Sequence, residues 1–192
     1  MINEKLVNFR VYKEGGSEVI GIATVDLPEI NGMTEDVSGA GIAGQLSTPT
    51  LGHFESMKLT LNFRTLTTDM IVLAQQKGQA IECRGSIQAY DPATSSYKTV
   101  PVRVVGRGTP VTFKPGKLEP TKMMDASLEL ELHYFKLAMA NVELVEIDKY
   151  NFICKMGGND ILATVRQDMG LMGSISTAAG DLLGAARSKI GI

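Results

Sequence analysis

The cysteines and histidines of this 192-residue chain are its first candidates to attack a substrate, take its proton or bind a metal, and there are four: Cys83, Cys154, His53 and His133. Nucleophilic catalysis needs a thiol or hydroxyl with a base in hydrogen-bond reach, and a zinc site needs about four ligands at set spacings. There is no Cys-x-x-Cys, the histidines stand far apart, and neither has a nucleophile nearby in sequence. In a reducing compartment, two lone cysteines read as small buried hydrophobes. Two further patterns tempt. GAGIAG, residues 39–44, matches the Gly-x-Gly-x-x-Gly dinucleotide fingerprint letter by letter. That fingerprint works only between a buried parallel strand and a helix whose N-terminus holds the pyrophosphate. Here polar TEDVS precedes it, and QLSTPT, with Pro49, follows. Glu143, Glu146 and Asp148 crowd one stretch, but solvated carboxylates on a strand face account for them, as they do for Glu129 and Glu131. The expectation is therefore no catalytic residue, no metal and no cofactor.

What remains to be positioned is a surface. Hydrophobic residues make up 44% and charged residues 21%, ordinary for a globular domain long enough to bury a core. A net charge of -2 supplies no basic field for gripping nucleic acid from outside, though it does not bar a surface that lets DNA pass. No run approaches the ~18 apolar residues of a membrane span. The start, MINEKLVNFRVYK, lacks the apolar core of a signal peptide, so the expected setting is cytoplasmic, away from membranes.

Alternation points to strands. Leu6–Val11 and Val19–Leu27 flank KEGGSE, whose Gly-Gly reads as a hairpin turn. Met57, Leu59, Leu61 and Phe63 alternate with Lys58, Thr60 and Asn62, the clearest half-buried strand. TTDMIVLAQQKG reads as a helix capped by Thr68 or Asp69 and ended by Gly78. Ile81 to Ala89 and Val100 to Val104 form a long hairpin about DPATSS, with GRGTPVTFKPGKLEPTK as a loop after it. Leu128, Leu130 and Leu132 alternate into YFKLAMA, turn at Ala140-Asn141 and return through VELVEIDKYNFICK. Gly157-Gly158-Asn159 closes that element, and Asp160 caps the short helix ILATVRQDMG. The sum is some seven or eight antiparallel strands and one or two short helices, a mainly β barrel or sandwich.

The stretch LPEINGMTEDVSGAGIAGQLSTPTLG, residues 27–52, fits neither element. It shows no strand alternation, and a structureless loop of roughly twenty residues in a compact domain is functional or disordered. Gly39, Gly41 and Gly44 permit close backbone approach, while Ile42, Leu46 and Leu51 offer a few apolar anchors. The tail GSISTAAGDLLGAARSKIGI sets Ile175, Ala179, Leu182, Leu183, Ala186 and Ile190 on one helical face, weakened by glycines.

Residues 134–171 carry the most specific pattern. Tyr134, Phe135, Lys136 and Leu137, then Glu146, Ile147, Asp148 and Asn151, then Asn159, Asp160 and Leu162, then Gly170 and Leu171 together resemble the end of the major tail tube protein of contractile-tailed phages and R-type pyocins. Leu27-Pro28, Glu35, Gly39-Ala40-Gly41, Leu51-Gly52 and PVRVVGRG (101–108) resemble the same family. Gly157-Gly158 departs from its usual Asn-Gly, and residues 172–192 run past its usual end.

The resemblance implies a structural, non-enzymatic subunit of an inner tail tube, its strands joining a ring-wide sheet on assembly. Hexameric rings would stack around a channel for DNA or other cargo. The partners would be further copies of itself, a contractile sheath protein, baseplate and tail terminator proteins, and in the lumen a tape measure protein and transient DNA. The place would be the tail of a virion or phage-like particle, assembled in the bacterial host cytoplasm. A type VI secretion-like tube passing effector proteins is the alternative. The domain would span 1–172, with an extended inter-subunit arm at 29–52 and a C-terminal extension at 173–192. Gly39, Ala40, Gly41, Ile42, Gly44, Leu46, Leu51 and Gly52 are expected to contact the adjacent ring. Lys58, Thr60, Asn62, Glu82, Arg84, Ser86 and Gln88, on polar faces opposite apolar ones, are expected to face the lumen.

Overall fold

Eleven strands and two short helices occupy the residues that the computed structural model describes, 2–13, 16, 21–39 and 41–171. In chain order they are β1 (Ile2–Lys13), β2 (Ile22–Asp26), β3 (Gly32–Val37), β4 (Leu46–Phe54), β5 (Met57–Phe63), α1 (Thr68–Leu73), β6 (Gln79–Asp91), β7 (Ser96–Lys114), β8 (Ala126–Met139), β9 (Val142–Asp148), β10 (Ile153–Met156), β11 (Asn159–Asp160) and α2 (Ala163–Asp168). Nine strands form one antiparallel sheet in the order β1-β6-β7-β8-β9-β10-β11, with β5 also on β8 and β2 on β5. Among the described residues, β3 and β4 pair only with each other. The mainly β expectation with short helices holds, as an open sheet and not a closed barrel.

β8 is the hub. One edge pairs with β7; the other pairs with β5 through its first half and β9 through its second. The two partners meet at His133, whose carbonyl accepts from the Lys149 amide (2.9 Å). Where β5 lies along β8, both strands keep strict alternation. Met57, Leu59, Leu61 and Phe63 pack with Ala126, Leu128, Leu130 and Leu132 in one core, which Val11, Ile81, Cys83, Val104, Phe135 and Ile147 extend and Met70 and Leu73 of α1 close. Each leucine or isoleucine fully buried there stabilises the fold by about 1.5–3 kcal/mol.

Several local readings give way to non-local pairing. β1 does not fold back on β2: it zips onto β6 from Ile2↔Tyr90 to Lys13↔Ile81, while β2 joins β5. A turn signal is weak against the ten residue pairs that a long hairpin offers. Residues 106–114 are strand and not loop, because β7 continues along β8 to Lys114. Pro110 is tolerated there because this end of β7 lies beyond the last β6 pair, Gln79↔Gly108, on a free edge. VELVEIDKYNFICK is two strands, broken where Asp148 Oδ1 accepts from the amides of Tyr150 (3.1 Å) and Asn151 (3.0 Å). Thr67, one residue ahead of the expected cap, accepts from Met70 N to start α1, which ends at Ala74 before Gly78 is reached. Asp160 is not the cap of α2; Leu162 holds that position without a side-chain bond. The hairpin β6–β7 and the turn at Ala140 (φ 52°) and Asn141 (φ 63°) form as expected.

Candidate functional site

The arm of residues 27–52 is itself a β-hairpin. β3 and β4 pair from Gly32↔Phe54 to Val37↔Leu46, which corrects the expectation of a structureless loop. Strand alternation was hidden because all of β3 and most of β4 face solvent, so neither face had to be apolar. Gln45 donates to Asp36 Oδ2 (2.7 Å) across the tip. Ile42, Leu46 and Leu51 are exposed, as are Gly39, Gly41 and Gly44; Ala40 lies outside the described residues. Gly52 behaves differently. It has φ 69°, and a Cβ there would lie 2.4 Å from Leu162 Cδ2, so only glycine lets the hairpin's root close over Leu162. The root is tied further by Glu55 N–H to Asn31 O (2.9 Å), Lys149 Nζ to Glu55 O (2.6 Å) and a hydrogen bond from Ser56 Oγ to Glu131.

The seven residues expected to face a lumen lie on the side of the sheet opposite the core. Lys58, Thr60 and Asn62 alternate with the buried set of β5, and Glu82, Arg84, Ser86 and Gln88 alternate with Ile81 and Cys83 of β6. Register extends this face across strands that the sequence gave no reason to join. Glu82 pairs with Val105 and Tyr12, Arg84 with Arg103 and Arg10. Arg84 and Arg103 both reach Glu82 Oε1 at 2.6 Å, and the two guanidiniums hold its carboxyl below the usual carboxylate range. Lys58 pairs with Glu129 (3.0 Å). Arg84 stacks over Tyr12 and Arg107 over Tyr134.

The motif of residues 134–171 builds one corner of the molecule. Tyr134 donates to Glu146 Oε1 (3.0 Å), and Lys155 holds Glu146 Oε2 (2.6 Å). Lys155 lowers the Glu146 pKa, while burial first and Glu146 second push Tyr134 up to about 12. Lys136 pairs with Glu143, and Asn151 Nδ2 with Asp148 Oδ2 (2.7 Å). Phe135 and Ile147 are core residues, with Leu137 packed against them. Asp160 pairs with Arg166, which lowers its pKa, and Arg166 also donates to Phe152 O (2.7 Å). Asn159 pairs with Met156 as β11 turns back, and Gly170 (φ 70°) ends α2 with the Leu171 amide bonded to Arg166 O (2.9 Å). These residues stitch β8, β9, β10 and α2 together.

Cys83 and Cys154 are free and buried, and burial raises the thiol pKa of both, to about 12 for Cys83. His53 Nδ1 lies 3.0 Å from Leu51 O, and His133 stacks on Tyr150. Among the described residues no group of acidic, Cys and His side chains is placed to hold a metal. Two features escaped the sequence. The whole of β1 is an edge strand, exposed from Ile2 to Val7, and beside it Leu6, Phe9, Val25, Ile87, Val102 and Leu137 line an apolar groove of about 410 Å³. Neither leaves a periodic signal, because both depend on which strand β1 chooses.

A family model described as phage tail tube protein FII matches residues 3–170. The major tail tube protein of Serratia phage KSP20 is 27% identical over 160 residues, covering 83% of this chain and 91% of that protein. The tail tube protein of Escherichia phage P2 is 28% identical over 173 residues, covering 87% of this chain and 97% of that one. Among solved structures, a chain from the cryo-EM structure of an extracellular contractile injection system, PVC sheath/tube terminator in extended state, superposes with TM-score 0.46 at 15% identity over 72% of this chain and 97% of that one.

Proposed function

The chain belongs to the phage tail tube protein family, and from that premise we infer that it is a structural subunit of the inner tube of a contractile phage tail or of a phage-derived contractile particle. The tube domain is residues 1–172. The observation that supports assembly most directly is the edge strand β1: twelve residues without a proline, flanked by an apolar groove, and unpaired on its outer side among the described residues. Such an edge templates another strand unless an assembly covers it. Paired with a neighbour around a six-membered ring, it leaves no open edge and makes the sheet ring-wide. Rings stacked head to tail through a contact that does not close give a tube.

In this reading the polar side of the sheet, with Lys58, Thr60, Asn62, Glu82, Arg84, Ser86 and Gln88, lines the channel. Its cations are already engaged, Arg84 and Arg103 with Glu82 and Lys58 with Glu129, which leaves a weak grip on passing phosphates. Residues Gly39, Ala40, Gly41, Ile42, Gly44, Leu46 and Leu51 of the hairpin reach the adjacent ring, with Gly52 seating its root on the parent body. The tube carries DNA after a tape measure protein, inside a sheath, between baseplate and terminator, and is assembled in the host cytoplasm. No reaction is assigned to the subunit.

Negative-stain microscopy of the purified chain tests the tube directly; monodisperse single subunits under all assembly conditions would overturn it. Thr60→Cys and Ser86→Cys test the lumen. The native thiols are buried, so labelling reports the new sites, which should react with a bulky maleimide in free subunits and resist it in tubes. Equal labelling in both states would remove this face from the channel.

A further inference from the structure

We propose that the acidic β3–β4 hairpin of one copy docks on a basic strip of the next copy, formed by the end of β7 and the loop of residues 115–125. This rests on the tube reading and names the surface that receives the arm.

The first support is charge segregation. From Lys13 to Lys58 the sequence has no Lys or Arg, while Glu29, Glu35, Asp36 and Glu55 lie on or beside the hairpin. On the strip itself, residues 111–125, Lys114, Lys117 and Lys122 stand against Glu119 and Asp125. Glu119 is already paired with Lys122 (2.5 Å), so Lys114 and Lys117 present their charge outward.

The second support is placement. The hairpin leaves the sheet at the Met57 end of β5, which pairs with Leu132, and the 115–125 loop enters β8 at the Phe63 end, which pairs with Ala126. The two surfaces therefore sit at opposite ends of a seven-residue strand, about 20 Å apart. An arm at one end and its receiver at the other is the arrangement a head-to-tail stack requires.

The third support is the apolar content of both surfaces. Glu35 shares its side of the hairpin with Val37 and Leu46, by the pairings Glu35↔Thr48 and Val37↔Leu46. Val37 is 40% exposed and Leu46 56%. On the strip, Leu118 is 91% exposed and Met123 62%. A two-stranded hairpin is marginal alone in water, and its apolar side gains stability only by covering such a patch. The receiver is preformed: Lys117 N–H bonds to Met124 O (2.7 Å), and Met124 N–H to Arg64 O (2.9 Å). Strand addition is not the mode of contact, because Pro110 and the register shift beside it blunt this end of β7. Side chains make the contact, acid on base around an apolar centre.

The test reverses charge on each surface and then on both. Lys114→Glu/Lys117→Glu and Glu29→Lys/Glu35→Lys should each cut sedimentable tube by at least about tenfold at matched concentration, since like charges facing across an interface repel. All four changes together should restore tubes. In the otherwise wild-type chain, Glu35→Cys with Lys117→Cys should give oxidised ladders in tubes and none in free subunits. Normal tubes from the Lys114/Lys117 variant, or tubes without ladders from the cysteine pair, would overturn the pairing while leaving the tube reading standing. Absence of rings and tubes from the unmutated chain would instead overturn the tube reading and this inference with it.

Discussion

Replacing Gly52 with alanine measures how firmly the β3–β4 hairpin sits on its own body before any neighbour arrives. The backbone there has φ 69°, a left-handed conformation that costs an L-residue about 1–2 kcal/mol. The new methyl would also stand 2.4 Å from Leu162 Cδ2 and 2.6 Å from both Cδ1 and Cγ. Leu162 is 4% exposed and lies in a cleft shared with Phe54, Ile147, Phe152 and Ile153, so it has little room to swing aside. Over-packing of that kind adds about 1–3 kcal/mol, for a total loss of about 2–5 kcal/mol. Urea unfolding followed by far-ultraviolet circular dichroism, at a concentration that keeps subunits apart, reads the loss as a lower midpoint at unchanged slope. Leu162→Ala alone should cost about 2–5 kcal/mol through the cavity it leaves. The double variant should lose less than the sum by about 1–3 kcal/mol, because the methyl enters the vacated space. A cost below about 0.5 kcal/mol for Gly52→Ala, or strict additivity with Leu162→Ala, would mean that the root is not seated on the body and that the arm swings free.

Tyr134→Phe should cost about 0.5–1.5 kcal/mol at neutral pH by deleting the bond to Glu146. The native state holds the Tyr134 proton up to about 12, whereas an unfolded tyrosine releases it near ~10. That contribution to stability is therefore complete below the unfolded value and is lost as pH rises through the folded one; in the phenylalanine variant this alkaline slope should be absent. Ala140→Gly should raise stability by about 1 kcal/mol, seen as a higher melting temperature, because Ala140 holds φ 52° in a tight turn with Asn141. Truncation after Met172 should leave ring formation intact by size-exclusion and microscopy, since the family match ends at residue 170; single subunits alone would make the extension part of the interface. The helix read from Ile175 to Ile190 lies outside the described residues.

Period and turn chemistry determined what is local here. Met57–Phe63 alternates because one face is buried and the other wet, a pattern that survives any choice of neighbour. DPATSS and Ala140-Asn141 close hairpins between adjacent strands, so their pairings could be read directly. The motif from Tyr134 to Leu171 pointed to the family because its ion pairs and turns sit within one contiguous stretch. The tertiary structure alone decided the partner of β1, since KEGGSE offers a turn but β6 offers ten residue pairs and a place beside the core. It also decided that Gly106 to Lys114 is strand. Glycine and proline there carry no strand propensity, yet β8 supplies the hydrogen bonds and the free edge accommodates Pro110. The hairpin at 32–54 was illegible for a related reason: strands exposed on both sides need no alternation, so only backbone pairing reveals them. The polar face behaves likewise. Its residues come from strands distant in sequence, and only register brings Glu82 between Arg84 and Arg103.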